Sequence, residues 1–191
     1  MADQKDKTSR KKWFIVGVII FAAGMVSAGI FNVALEFTNT TEFCTTCHTM
    51  VVNLEELQES VHWKNASGVR AGCADCHVPT AFLPKMKAKI MAAKDVFHEI
   101  VGTISTKEKY EEHRWAMANA VWAKMKATDS RECRDCHSFD YMDLSEQDRF
   151  ARKKHDRAVD RGETCIDCHK GIAHEEPDEP EEATPEEAAS E

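Results

Sequence analysis

The sequence predicts a mainly α chain: a single N-terminal transmembrane helix, then a small helical and irregular domain built from two copies of one module. Three observations carry this expectation. Residues Trp13 to Leu35 are 23 consecutive positions without Asp, Glu, Lys or Arg. All eight cysteines fall into four copies of one five-residue pattern, grouped two and two. No stretch alternates apolar and polar residues as a half-buried strand would.

Composition bounds the rest. The chain has 191 residues, 42% hydrophobic and 30% charged, which fits neither a disordered nor a polytopic membrane protein. A formal net charge of −8 argues against a nucleic-acid partner, which would want a basic face. The charge is uneven, however. Lys5, Lys7, Arg10, Lys11 and Lys12 make residues 1–12 a basic N-terminus, while nine acidic residues and no basic one lie from Glu175 onward. Residues 176–191 are therefore expected to form an acidic disordered tail.

Residues 13–35 read as the anchor. At ~1.5 Å per residue, a helix of that length crosses a ~30 Å hydrocarbon layer with slight tilt. Basic residues precede it and Glu36 follows, so the positive-inside bias leaves the N-terminus cytoplasmic and exports the remainder. Val26-Ser27-Ala28 also resembles a signal-peptide cleavage site, but a signal-peptide core runs only ~7–15 residues. An uncleaved single-pass protein of the bacterial inner membrane, with its domain in the periplasm, is the expectation. Gly24 and Ala28 form a small-xxx-small pair of the kind that lets two spans pack closely, which leaves a homodimer open.

The four cysteine patterns are Cys44-Thr45-Thr46-Cys47-His48, Cys73-Ala74-Asp75-Cys76-His77, Cys133-Arg134-Asp135-Cys136-His137 and Cys165-Ile166-Asp167-Cys168-His169. C-x-x-C-H is the attachment signature of c-type haem. Its two thiols add to the haem vinyl groups, and the adjacent histidine lies over the iron as proximal ligand. Exported cysteines default to disulfides, and paired C-x-x-C units also build zinc sites. Neither alternative needs a histidine after the second cysteine four times out of four. Residues 36–175 thus read as a tetrahaem cytochrome domain with four covalently bound c-type haems. Cys44, Cys47, Cys73, Cys76, Cys133, Cys136, Cys165 and Cys168 attach them, and His48, His77, His137 and His169 are the proximal ligands.

The motifs begin at 44, 73, 133 and 165, so the gaps are 29, 60 and 32 residues. Two dihaem modules, residues 36–80 and 128–175, flank a helical insertion at 81–127. His62 lies 11 residues before Cys73 and His155 lies 10 before Cys165, so equivalent work is expected of them. Candidate distal ligands are His62, His98, His113, His155 and His174. Met50, two residues after His48, either ligates the first haem, where a thioether raises the potential, or packs on its ring.

In the insertion, Thr80 to Ser105 has Pro84 near its start and Met86, Ile90, Phe97 and Val101 at helical spacing. Lys85, Lys87, Lys89 and Lys94 suit either a helix lying on a membrane surface or an ordinary solvated one. Ser105 with Glu108 reads as a capping box opening a second helix to about Ala127. Its Tyr110, Trp115, Met117, Val121 and Trp122 are expected to cover haem faces.

Further stretches resemble a known family. Thr41-Glu42-Phe43, Ser60-Val61-His62, Ser67-Gly68-Val69-Arg70, Cys76-His77-Val78-Pro79, Glu132-Cys133-Arg134, Tyr141-Met142-Asp143 and the run Thr164 to His174 look like the NapC/NirT membrane-anchored tetrahaem quinol dehydrogenases. The resemblance covers nearly the whole chain to His174 and is nearest the branch that donates to periplasmic nitrate reductase. The extra C-terminal haem domain of the trimethylamine-oxide branch is not expected here. The resemblance implies oxidation of menaquinol or ubiquinol from the membrane pool at the periplasmic face, and delivery of the electrons to a soluble reductase. It places a quinol site beside the first haem, with Lys89 and Asp95 as its polar residues. It also assigns distal ligands: His62 to haem four, His155 to haem two, His174 to haem three and Met50 to haem one. Thr80 stands where several members carry histidine, so no ligand role falls there.

Quinol oxidation releases two protons and two electrons, while each haem takes one electron. Asp95 as proton acceptor and Lys89 as hydrogen-bond partner of a quinol oxygen would meet that need. Rival readings are a donor to nitrite reductase, a tethered shuttle without its own quinol site, and a terminal reductase of small oxyanions.

Overall fold

The computed structural model describes residues 2–180, with side chains from Ser9 onward; the expected tail at 181–191 lies outside the described residues. Among the described residues there are nine α-helices, two short 3₁₀ turns and no strand, as the mainly α expectation requires.

Helix α1 (Ala2–Phe37) contains the whole apolar run. It is long and apolar enough to cross a membrane over Ser9–Phe37 and buries nothing against the rest of the chain. Trp13, Phe14 and Phe21 are each more than 70% exposed, which water would not tolerate along a helix this apolar. Past Phe37 the chain turns at once. Phe37 and Phe43 meet edge-to-face at 5.5 Å, and the Thr40 hydroxyl caps the short helix α2 (Thr41–Cys44) by accepting from the Phe43 N–H.

A 3₁₀ turn (His48–Met50) leads into α3 (Val51–Glu59). After α4 (Cys73–His77) come the two long helices, α5 (Phe82–Ile100) and α6 (Lys107–Ala127). α6 opens one residue later than the sequence suggests. Thr106, not Ser105, is the cap, because its hydroxyl accepts from the Lys109 N–H. The Ser105 hydroxyl instead donates to the Gly102 carbonyl. α7 (Arg131–Arg134), α8 (Arg149–Arg161) and α9 (Cys165–Cys168) complete the order.

Lys89 ties α5 to the end of the anchor, its ammonium donating to the Thr38 hydroxyl at 2.7 Å and to the Thr38 carbonyl at 3.2 Å. Lys85 reaches Glu36 at 4.0 Å. Burial pushes the Lys89 ammonium below its ordinary value. α5 has no buried residue. Leu83, Ile90, Phe97, Ile100 and Val101 stand exposed beside its lysines.

Apolar burial elsewhere is sparse. Only Leu57, Ile104, Tyr110 and Ile166 form a buried hydrophobic core among the described residues. Four such side chains cannot offset the conformational entropy of a domain this size. A chain built this way needs something other than side chains at its centre.

Candidate haem centres

Each cysteine pattern sits on or beside a short helix. In the second and fourth, both cysteines lie three apart within one helix and so on one side of it. Both helices open the same way: the Asp75 carboxylate accepts from the Gly72 N–H at 2.7 Å, and Asp167 accepts from the Thr164 N–H at 2.9 Å. The aspartate between the cysteines is therefore a cap that reaches back to fix the turn. In the first and third patterns, α2 and α7 end between the two cysteines. None of the eight cysteines is in a disulfide. No three His, Cys, Asp or Glu side chains converge as a zinc ion would need, among the described residues.

The patterns touch in chain order. Cys44 lies beside Cys73. Cys76 lies among Cys133 and Cys136 and is raised to about 11, mainly by burial. Burial first, then the nearby Cys165, raises Cys133. Hydrogen bonds run along the same row. Thr80 donates to Asp135 at 3.3 Å, and the Ile166 N–H donates to the fully buried Ser130 hydroxyl at 3.1 Å. Pattern one thus adjoins the end of α1, and pattern four lies at the other end of the row.

Three of the four motif histidines face a second histidine. Ring centroids are 6.2 Å apart for His62 and His137, 6.2 Å for His77 and His174, and 6.0 Å for His155 and His169. Two imidazoles on opposite sides of one metal, each nitrogen ~2.0–2.1 Å from it, have centroids roughly 6 Å apart. The spacing fits axial ligation, and the residues present fit the haems the motifs imply. Buried ring nitrogens of His62 and His174 have no hydrogen-bond partner within the chain. Crowding by protein atoms, with His174 and Lys124 nearby, pushes His77 down to about 4, so it is the neutral imidazole that a metal takes. Burial likewise lowers His174, while Glu56 opposes the shift.

These pairings differ from the expected assignments. His62 stands at the third motif rather than the fourth, His155 at the fourth rather than the second, and His174 at the second rather than the third. His62 and His155 are not equivalent either. α3 ends at Glu59, and an irregular segment carries His62 away from its own module. α8 instead folds directly back over the motif that follows it. Gln147 fixes His155, its side-chain oxygen lying 2.6 Å from Nδ1.

The first centre differs. His48 faces no second histidine; its Nε2 lies 2.8 Å from the Ser105 carbonyl and its Nδ1 3.5 Å from Glu99. Glu99 also accepts from the Thr49 hydroxyl at 3.0 Å. Met50 sulfur lies 3.8 Å from the Asn53 amide, and Asn53 in turn accepts from Tyr110 at 2.7 Å. Lys89 is near Cys44 and half-buried, whereas Asp95 is exposed on α5 without a hydrogen bond or ion pair among the described residues. His98 pairs locally with Thr103 and His113 with the Lys109 carbonyl.

Several residues at these centres escape sequence reasoning: Glu56, Glu99, Arg114, Ser105 and Ser130. Only the aspartate repeated inside motifs two, three and four left a visible signal.

A profile described as the NapC/NirT cytochrome c family, N-terminal region, matches residues 6–179. A putative tetraheme cytochrome-c type of Allochromatium vinosum is 53% identical over 178 residues, covering 93% of this chain and 97% of its own. The cytochrome c-type protein NapC of Escherichia coli K12 is 51% identical over 162 residues, 84% of this chain and 81% of its own. The denitrification system component NirT of Stutzerimonas stutzeri is 50% identical over 165 residues, 86% of this chain and 81% of its own. No solved structure matches. With a family match over most of its length and relatives at half identity, the chain belongs to the NapC/NirT cytochrome c family and carries covalently attached c-type haem.

Proposed function

We propose that this protein is a membrane-anchored quinol dehydrogenase that oxidises menaquinol or ubiquinol at the periplasmic face and hands the electrons to a periplasmic reductase, by preference nitrate reductase. One observation carries the reading: the first attachment motif adjoins the end of the membrane-length helix, and the other three adjoin one another in chain order. The haems supply one-electron transfer when bound. The eight cysteines would hold them, with His77 and His174, His137 and His62, and His169 and His155 as the ligand pairs of the second, third and fourth. His48 and Met50 serve the first centre, where the Ser105 carbonyl must release the His48 ring if that ring ligates.

The quinol site lies between the end of α1 and α5. Lys89, half-buried and held by Thr38, presents an ammonium donor to a quinol oxygen there. Asp95, nearly two turns further along α5, is a carboxylate open to solvent and takes the two released protons outward in turn. The exposed Leu83, Ile90, Phe97 and Ile100, interleaved with lysines, suit a helix resting on an anionic bilayer surface, where quinol arrives. Residues 36–80 and 128–175 act as the two haem-holding modules and 81–127 as the membrane-facing insertion.

The experiment is reduction of the full-length protein in detergent by a menaquinol analogue, with no other complex present. All four haems are expected to be reduced, and Lys89→Gln to slow this at least tenfold while dithionite still reduces every haem. A protein that quinol cannot reduce would be the tethered shuttle instead.

A further inference from the structure

We propose that the outer face of α8 is the docking surface for the electron acceptor, and that this acceptor presents an acidic patch. At 100° per residue, Phe150, Lys153, Lys154, Arg157 and Arg161 fall within a sector of about 100°, centred opposite His155. All five are exposed, and Phe150 is 78% exposed. Asp156 and Asp160 fall outside the sector. Of the four cations only Arg161 has an ion-pair partner among the described residues, Glu163 at 3.6 Å.

This face is cationic on a chain whose net charge is −8. Three of its four cations lack an ion-pair partner among the described residues, although the chain is rich in acids. The helix beneath carries His155 against His169 of the fourth motif. The width of one helix therefore separates the face from the fourth motif, the last in the order of contacts from the membrane helix. A bilayer is the wrong occupant for that reason, since α1 and Lys89 fix the membrane at motif one. A stripe of cations leading away from one exposed aromatic steers an acidic partner and gives it an apolar seat.

The proposal rests on the reading that electrons leave this protein for a soluble acceptor. Its test uses the full-length haem-loaded protein, reduced in detergent and mixed in stopped flow with two oxidised probes: the acidic copper protein plastocyanin and a basic mitochondrial cytochrome c. At low ionic strength, Lys153→Glu with Arg157→Glu should slow reoxidation by plastocyanin at least roughly tenfold without slowing the basic probe. The difference should vanish at roughly 0.5 M salt, where the Debye length is a few ångströms. Lys153→Arg with Arg157→Lys should keep the parent rate, and if the glutamate pair fails to load haem, Lys153→Gln with Arg157→Gln should show an intermediate loss. A plastocyanin rate unchanged by charge reversal overturns the proposal. So does a charge-reversal effect that appears only after residues 176–191 are removed, because the chain's own acidic tail is then the occupant. A parent rate lost in phosphatidylglycerol vesicles but kept in phosphatidylcholine ones assigns the face to lipid and overturns it too. Quinol reduction is followed in parallel: its loss in parent and variant alike removes the quinol reading and leaves the docking readout standing.

Discussion

One nitrogen of Arg114, Nη2, donates to both carboxylate oxygens of Glu56, at 2.6 and 2.7 Å. The same nitrogen reaches the Glu175 carbonyl at 2.9 Å, and the Glu175 N–H donates to Glu56 at 3.0 Å. α3, α6 and the residue after His174 are thereby pinned together, and the His174 ring is held opposite His77. The pair is mostly shielded, the Arg114 side chain being 11% exposed and Glu56 17%. Arg114→Ala leaves a shielded carboxylate without its cation, and a loss of about 3 kcal/mol is expected. Thermal unfolding followed by circular dichroism checks it. Electron paramagnetic resonance should show one low-spin signal altered, that of the second centre. The double change Glu56→Leu with Arg114→Met should cost less than Arg114→Met alone.

Ser130 is fully buried and left-handed, with φ +48°, and its hydroxyl accepts the Ile166 N–H at 3.1 Å. One side chain thus joins the third and fourth motifs. Ser130→Ala strands that buried N–H at a cost of about 1–3 kcal/mol. Ser130→Gly loses the same bond, but glycine takes a positive φ without the ~1–2 kcal/mol steric cost. The glycine variant should therefore melt above the alanine variant and below the parent. Equal melting points for the two variants would show that the backbone there is unstrained.

The framework reads directly from the sequence because its signals are local. An uncharged run of 23 residues, four C-x-x-C-H patterns and helical spacing each lie within a short window. The distal pairings do not. Whether His62 meets His137 or His169 depends on how the irregular stretch between α3 and α4 crosses the domain, and no periodicity records that path. The clamp around Glu56 joins residues 58 and 119 positions apart, on helices whose charges look like any solvated face. The cap of α6 moved by one residue because Ser105 and Thr106 are chemically equal candidates. Only the turn geometry chooses between them.

Lys126 and Asp167 meet at 2.6 Å and fasten the end of α6 to the fourth motif. Lys126, aided by the Thr164 N–H, holds the Asp167 carboxyl down at about 2, against an ordinary 3.8. A carboxylate whose folded value is depressed stabilises fully above its unfolded value and loses that contribution as pH falls through the folded one. The stability gap between parent and Asp167→Asn should thus be constant above about pH 4 and close as pH falls toward about 2. Melting curves between those limits check it. A gap that persists at the acid end would mean the capping bond, not the charge, carries the effect.

Lys89 offers the last prediction, since its charge can be followed through turnover. Burial, reinforced by Lys85, holds its ammonium below the ordinary 10.5. A donor that must be protonated to meet a quinol oxygen fails as pH rises through that lowered value. The rate of reduction by a menaquinol analogue should therefore fall on the alkaline side before an ordinary lysine would titrate. Arginine stays charged throughout that range, so in Lys89→Arg the alkaline fall should disappear, whatever the rate at neutral pH. Thr38→Val removes the 2.7 Å acceptor that holds the ammonium in place and keeps the carbonyl at 3.2 Å. It should slow quinol reduction about three- to tenfold, the equivalent of about 1 kcal/mol, with dithionite reduction unchanged. An alkaline limb that survives arginine belongs to some other group, and Lys89 then has no part in binding quinol.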